Sequence, residues 1–245
     1  MNAVTAPMLP VFDVPRAARA ITALVRDPDD LPQVFTILES LSGTAPHRLF
    51  HRFGRDATGA RILRERPDIV ARLDDREALR ALPEGSLGRA YLDFVEREHI
   101  GPKGIRDASD AGVTGRMRSS RFEYLHARMR DTHDLWHAAT GYQSDVVGEA
   151  ALLAFYLAQN FNAGIALIVG AALWKGRESG VGAVIAEGFR RGRAAAWLPA
   201  QDWEALLALP LDEVRRRLSL GDPPVYTPVR AAEVRGGQGG WSRAN

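Results

Sequence analysis

The 245-residue sequence contains no cysteine. That excludes a disulfide framework, thiolate metal sites, iron–sulfur clusters and cysteine nucleophiles, and it leaves only nitrogen and oxygen ligands for any metal. Lysine is nearly absent, at positions 103 and 175 only, so the basic residues are almost all arginine. Arginine stays protonated far above neutral pH, which is how a pI of 9.2 coexists with a formal net charge of +2. So small a net charge predicts no general affinity for nucleic acid. No run of alternating apolar and polar residues marks a strand, no internal repeat is visible, and no shift in composition marks a second domain. The first fifteen residues lack the basic, apolar and small-residue order of a signal peptide and are not an Arg/Ser-rich transit helix. The expectation is a cytoplasmic protein with a flexible N-terminus over residues 1–15.

With 25% charged and 46% hydrophobic residues, the chain belongs among soluble globular proteins and is long enough for one substantial core. Helical signals dominate. Asp13-Val14-Pro15 reads as a helix start ahead of Ala17–Val25. Asp29-Asp30 caps a helix whose apolar face is Leu31, Val34, Phe35, Leu38 and Leu41. Helical spacing returns over Ala57–Arg66, and again after Gly85-Ser86 with Leu87, Tyr91, Leu92, Phe94 and Val95. Residues 100–118, rich in Gly, Asp and Ser, read as a loop. A long helical pattern then runs from Ser119 to Gly141, and Ser144-Asp145 starts another. Further helical patterns cover Glu178 to about Arg193 and Gln201–Leu218. The reading is an all-α fold, a single multi-helix domain over residues 16–220, with residues 221–245 as a flexible tail rich in Pro and Gly.

Between Glu149 and Lys175 no residue is charged. A bilayer crossing needs ~20 apolar residues, so the length would suffice. Gln159, Asn160 and Asn162 lie in the middle, however, and favour two buried helices joined at the Asn160–Asn162 turn. Such helices can form plain core, the wall of an apolar pocket, or a membrane-contact surface.

His133-Asp134-Leu135-Trp136-His137 carries the chemistry. Residues four apart share a helix face, so His133 and His137 point the same way with Asp134 at the edge. This is the logic of the HExxH zinc helix. Glu149 lies twelve residues after His137, which on a continuous helix is ~18 Å further along and out of reach. Gly141 followed by Ser144-Asp145 allows a bend, and a chain that turns between Thr140 and Asp145 folds Glu149 back beside the histidines. Two histidines and two carboxylates suit zinc, manganese or ferrous iron better than copper.

Those residues carry a resemblance. Asp131–His137 with Gly141 and Gly148-Glu149 matches the HDxxH, eleven residues, Glu signature of the coenzyme Q (ubiquinone) biosynthesis protein 4 family. The segment Leu82–Tyr91 is similar to the family's stretch ahead of the motif. Asp202-Trp203-Glu204 and Leu209–Arg215 are similar to its C-terminal part, and the resemblance spans roughly residues 30–220. It implies an all-helical fold and a metal, usually zinc, on His133, Asp134, His137 and Glu149. It also implies a role in removing the C1 carboxylate of a polyprenylated 4-hydroxybenzoate-type precursor, with hydroxylation at that carbon. Isoprenoid lipid binding, peripheral membrane contact on the cytoplasmic face of the inner membrane, other ubiquinone biosynthesis proteins as partners and a homodimer complete the expectation.

On that reading Glu149 and Asp134 are the candidate catalytic carboxylates. The uncharged run 150–174 is the candidate wall of an apolar lipid groove, with Phe155, Tyr156, Phe161 and Trp174 on it. Arg128 or Arg130 could hold a substrate carboxylate in a bidentate pair, Arg128 being the chosen candidate, against a plain salt bridge to Asp131 or Glu123. His126, seven residues before His133, is a further candidate to approach the site, against an ordinary surface or core histidine. His47, His51 and His99 have no ligand partner at useful spacing. Against the enzyme stands a lipid-binding scaffold with a structural metal, favoured by a closed set of four protein ligands. A hydrolase of the HExxH type is weaker, because Asp134 replaces the longer Glu base.

Overall fold

Small polar side chains fix where the helices begin. Asp13, Asp56, Ser86, Asp145 and Asn162 each accept a hydrogen bond from a backbone N–H two or three residues further on. Each such cap satisfies a donor that the first helical turn leaves free, and is worth ~1 kcal/mol. In a computed structural model, which describes residues 12–113, 120–177 and 179–235, the outcome is a single, nearly all-helical domain with no strand among the described residues. The helices are α1 (Val14–Arg26), α2 (Leu31–Ser40), α3 (Ala45–Arg55), α4 (Ala57–Glu65), α5 (Ile69–Asp74), α6 (Arg76–Ala81), α7 (Leu87–Glu98) and α8 (Pro102–Gly112). They continue as α9 (Ser120–Asp131), α10 (His133–Thr140), α11 (Val146–Gln159), α12 (Ala163–Lys175), α13 (Val181–Ala194), α14 (Trp203–Leu206), α15 (Leu211–Arg217) and α16 (Ala231–Arg235).

The main core gathers Tyr91 and Leu92 of α7, Leu135 and Trp136 of α10, Phe155 of α11 and Trp203 of α14. Helix α13 packs closely on α11. A Cβ added at Gly188 would sit 2.3 Å from the Ala151 carbonyl oxygen, and one at Gly192 would sit 2.3 Å from that of Phe155. Two glycines four apart thus let α13 lie backbone to backbone on α11. As expected, the uncharged run folds as two helices joined at Asn160–Asn162, and no described helix is long and apolar enough to cross a membrane.

Five expectations need correction. Residues 102–112, read as part of a loop, form α8. Pro102 opens it, and it packs so tightly on α2 that a Cβ at Gly112 would meet the Pro32 carbonyl at 2.3 Å. Residues 114–118 lie outside the described residues. The long helix expected up to Gly141 divides at Thr132, whose hydroxyl turns back to the Arg128 carbonyl at 2.8 Å. The pattern over 201–218 divides into α14 and α15, because residues 207–211 pair instead with 85–88 through Leu87 N–H to Leu209 O at 2.9 Å and Gly88 N–H to Leu207 O at 2.8 Å. The helix anticipated from Glu178 begins at Val181, Glu178 itself lying outside the described residues. Finally, residues 222–235, expected to be a loose tail, run back across the body and end in α16. Val229 is buried there and Tyr226 is half-buried, each hydrogen-bonded to Asp145.

Candidate metal centre

The bend that the motif requires is present. α10 ends at Thr140, and Gly141 takes a left-handed φ of +84°, donating its N–H to the His137 carbonyl at 2.8 Å. Asp145 then caps α11 through the Val147 N–H at 3.0 Å, and the Glu149 N–H closes the first turn on the Asp145 carbonyl at 2.8 Å. Glu149 therefore faces the preceding helix. Its Oε1 lies 3.1 Å from His137 Nε2 and its Oε2 lies 3.6 Å from His133 Nε2. One ligand atom from each of the three residues falls within 4.8 Å of the others.

Each ring is held by its other nitrogen. His137 is buried and stacked on Phe94, with centroids 5.3 Å apart, and its Nδ1 lies 3.0 Å from the Tyr142 carbonyl oxygen. A carbonyl only accepts, so Nδ1 carries the hydrogen and Nε2 presents its lone pair. His133 Nδ1 lies 3.3 Å from Asp134 Oδ1, a long contact that sets the same tautomer. Both are the outer partners that metal-binding histidines commonly use. The arrangement tests the fit of a cation. His137 Nε2 is buried without a hydrogen-bond partner although Glu149 Oε1 is 3.1 Å away, because a lone pair and a carboxylate both accept. Only a positive charge between them, a proton or a metal ion, relieves that contact.

When the positive charge is supplied by protons on the histidines, burial pushes the Glu149 carboxyl up, but the charge and hydrogen bond of His137 and the charge of His133 outweigh it and hold the pKa at about 2. Burial pulls His133 down, but the Asp134 hydrogen bond and the Glu149 and Asp134 charges raise it overall.

Beside the cluster lies a mainly apolar cavity of about 970 Å³, whose walls include His133, Asp134, Glu149, Leu152, Leu153 and Tyr156. Of the residues singled out in the sequence, His133, His137 and Glu149 converge. Asp134, expected as a fourth ligand, is not among the converging atoms and engages the other nitrogen of His133. Tyr156 faces the cavity and stacks on Trp136 with centroids 5.6 Å apart. Phe155 does not, because it points away from the cavity into the core, fully buried. Arg128 is not a cavity residue either. It is buried, with a bidentate pair to Glu204 at 2.7 and 2.8 Å, so its charge is already spent on an internal carboxylate. The salt bridge weighed against its substrate role is correct in kind, with Glu204 in place of Asp131 or Glu123. Phe161 is exposed at the cavity rim, and Trp174 is exposed with Arg177 over its ring rather than on the cavity wall. His126 and Arg130 do line the cavity, as does His99, while His47 packs edge-on against Phe122. The Tyr142 carbonyl and Phe94, which fix His137, had no sequence signal.

These features define a class: a helical domain with a His/His/Glu cluster opening on an apolar cavity. A profile described as coenzyme Q (ubiquinone) biosynthesis protein Coq4 matches residues 14–224, and the chain belongs to that family. It is 33% identical over 187 residues to the mitochondrial ubiquinone biosynthesis protein coq4 of Neosartorya fischeri, and 31% identical over 188 residues to that of Paracoccidioides brasiliensis. Each match covers 75% of this chain and 64% of the relative's length. A crystal structure from Nostoc punctiforme, described provisionally as a ubiquinone biosynthesis protein, shares the fold with a TM-score of 0.62 at 20% identity, over 86% of this chain and 100% of that one.

Proposed function

We propose that this chain acts in ubiquinone synthesis as a metal-dependent decarboxylase, removing the C1 carboxylate of a polyprenylated 4-hydroxybenzoate-type acid. One observation carries the reading. Glu149, Leu152, Leu153 and Tyr156 stand at i, i+3, i+4 and i+7 of α11, so one helix face runs from the ligand cluster along the apolar cavity. An amphipathic molecule with a polar head and an insoluble tail fits that layout, with its head at Glu149 and its tail along Leu152 and Leu153.

His133, His137 and Glu149 would hold the ion, with zinc the first candidate and manganese or ferrous iron the others. Asp134 and the Tyr142 carbonyl keep both Nδ1 atoms protonated and both Nε2 atoms available. A divalent ion bound there supplies Lewis acidity for the electron density that departing carbon dioxide leaves on the ring. Burial pushes the Tyr156 hydroxyl up to about 12, so it stays neutral and offers a hydrogen at the wall. The C1–carboxylate bond breaks, carbon dioxide leaves, and a solvent proton takes its place on C1. Three converging residues rather than four favour this over a scaffold with a structural metal, because catalytic sites keep a position open. Exposed Phe161 and Trp174 suit peripheral contact with the inner membrane's cytoplasmic face, where other ubiquinone biosynthesis proteins and a second copy of this chain would assemble.

The test is product formation from a prenylated 4-hydroxybenzoate-type acid by purified protein. It is run metal-free and with zinc, manganese or ferrous iron, with and without dioxygen, beside a folded Glu149→Ala variant. Metal-dependent loss of the carboxylate, absent in the variant, is the expected result, and the dioxygen arm separates plain from oxidative decarboxylation. No turnover with any metal, from protein that still binds metal and lipid, assigns the chain to the scaffold reading.

A further inference from the structure

Residues 222–235 lie almost wholly beyond the family match, which ends at 224, yet they contact the α10–α11 turn at several points. A Cβ at Gly141 would sit 2.7 Å from Pro223 Cβ, so the turn glycine lies directly against this strap. The Tyr226 hydroxyl accepts from the Gln143 N–H at 3.0 Å and donates to Asp145 Oδ2 at 2.7 Å. Gly148 leaves the room for it, since a Cβ there would come within 2.5 Å of the Tyr226 oxygen. The Val229 N–H donates to Asp145 Oδ1 at 2.9 Å, and the Val229 carbonyl accepts from the Val146 N–H at 2.9 Å. Asp145, buried, thus caps α11 and receives two bonds from the strap. Beyond that clamp Arg230 pairs with Glu98 at 2.8 Å, and Ala231, Ala232 and Val234 become part of the cavity wall.

The turn that the strap grips decides where Glu149 lies relative to His133 and His137. We infer that residues 222–235 are a clamp that holds Glu149 in register with the two histidines, and that Tyr226 is a positioning residue acting through Asp145. The metal half of this inference rests on the reading of the cluster as a metal site. The mechanical half does not. Without the Tyr226 hydroxyl, the Gln143 N–H loses its acceptor and Asp145 Oδ2 loses its donor. Among the described residues, the start of α11 is then hydrogen-bonded to the strap through Val229 alone.

Two measurements on the full chain test it, comparing the native protein with Tyr226→Phe, Asp145→Asn and, as a control of similar stability cost in a cluster away from the strap, Ile62→Val. The first is hydrogen–deuterium exchange across residues 143–150 of metal-free protein. Tyr226→Phe is expected to speed exchange there and Ile62→Val is not. The second is zinc affinity by competition with a chromophoric chelator. Direct partners of metal ligands are worth ~10-fold or more in affinity, and Tyr226 acts one step further out, so a loss of up to ~10-fold is expected for Tyr226→Phe and none for Ile62→Val. Unchanged exchange in both Tyr226→Phe and Asp145→Asn overturns the clamp. Faster exchange with native zinc affinity overturns the positioning role. A native protein that binds no zinc, manganese or ferrous iron overturns the metal reading and, with it, the positioning role, and exchange still decides the clamp.

Discussion

The α11–α13 contact makes a sharp demand on Gly192. Replacing it by Ala places a Cβ 2.3 Å from the Phe155 carbonyl oxygen and 2.9 Å from that residue's Cα and carbonyl carbon. All three are backbone atoms of a helix and cannot rotate away. Relief requires the two helices to part by roughly 1 Å, and a gap of that size forfeits about a quarter to a half of the dispersion energy at each contact it opens. Overpacking of this kind costs ~1–3 kcal/mol, sometimes more. Alanine gains ~1 kcal/mol over glycine in a helix interior, so the net effect is a loss of up to about 2 kcal/mol. For a domain of this size that lowers Tm by up to roughly 8 °C. Gly170 of α12 is the matched contrast, since a Cβ there meets nothing within 4 Å and the backbone is helical. Gly170→Ala is expected to stabilise by up to ~1 kcal/mol through propensity alone. Thermal unfolding followed by circular dichroism reads both. If Gly192→Ala is as stable as Gly170→Ala, the backbone-to-backbone packing of these helices is wrong.

Arg128→Ala empties a buried arginine site and leaves the half-buried Glu204 without its bidentate partner, so a loss of ~2 kcal/mol is expected in urea unfolding. Its KM should stay native, because the side chain does not reach the cavity. A raised KM at native stability would restore the substrate role that the structure denies it. Glu98 gives a pH signature. Burial pushes its carboxyl up, but hydrogen bonds from Arg230, Ser144 and Arg97 outweigh that and hold it at about 2, against an ordinary value of 4.5. The folded pKa is depressed, so the stability it confers is complete above the ordinary value and drains away as pH falls towards 2. Glu98→Gln should therefore lower Tm near neutrality, with the gap to native protein closing between pH 5 and pH 2. A gap that is constant with pH would mean the carboxylate charge contributes nothing.

The parts of the fold set by local rules were legible in the sequence. Asp13, Ser86 and Asp145 announce helix starts, and Gly141 with Ser144-Asp145 announces the bend that returns Glu149 to the histidines. What failed depended on partners distant in sequence. Arg128 looked available because Glu204, 76 residues away, carries no local mark as its partner. α8 was hidden because its Gly, Asp and Ser content hides a helix made stable by packing on α2. The strap was hidden because its grip uses backbone groups of Val229 and one tyrosine hydroxyl amid prolines and arginines. Phe155 is a different case, because the information was present. Counting from Glu149, the helical phase puts Leu152, Leu153 and Tyr156 within about 60° of Glu149 and Phe155 about 120° away, on the flank that meets α13.

The position of Asp134 separates the two functional readings. As a fourth ligand it would complete a closed set, the arrangement of structural zinc. Bonded instead to His133 Nδ1, it does for that ring what the Tyr142 carbonyl does for His137, and both Nε2 atoms turn towards Glu149. A metal held by three residues that open on a cavity still has room for a ligand from outside the protein. The cavity reaches that open side along α11, the helix that supplies Glu149. On the proposed function, the chemistry of a head group and the burial of a tail would thus be coupled through one helix. Its back packs on the glycines of α13 and its first turn is capped by Asp145, so Glu149 and the cavity wall are carried by one anchored helix.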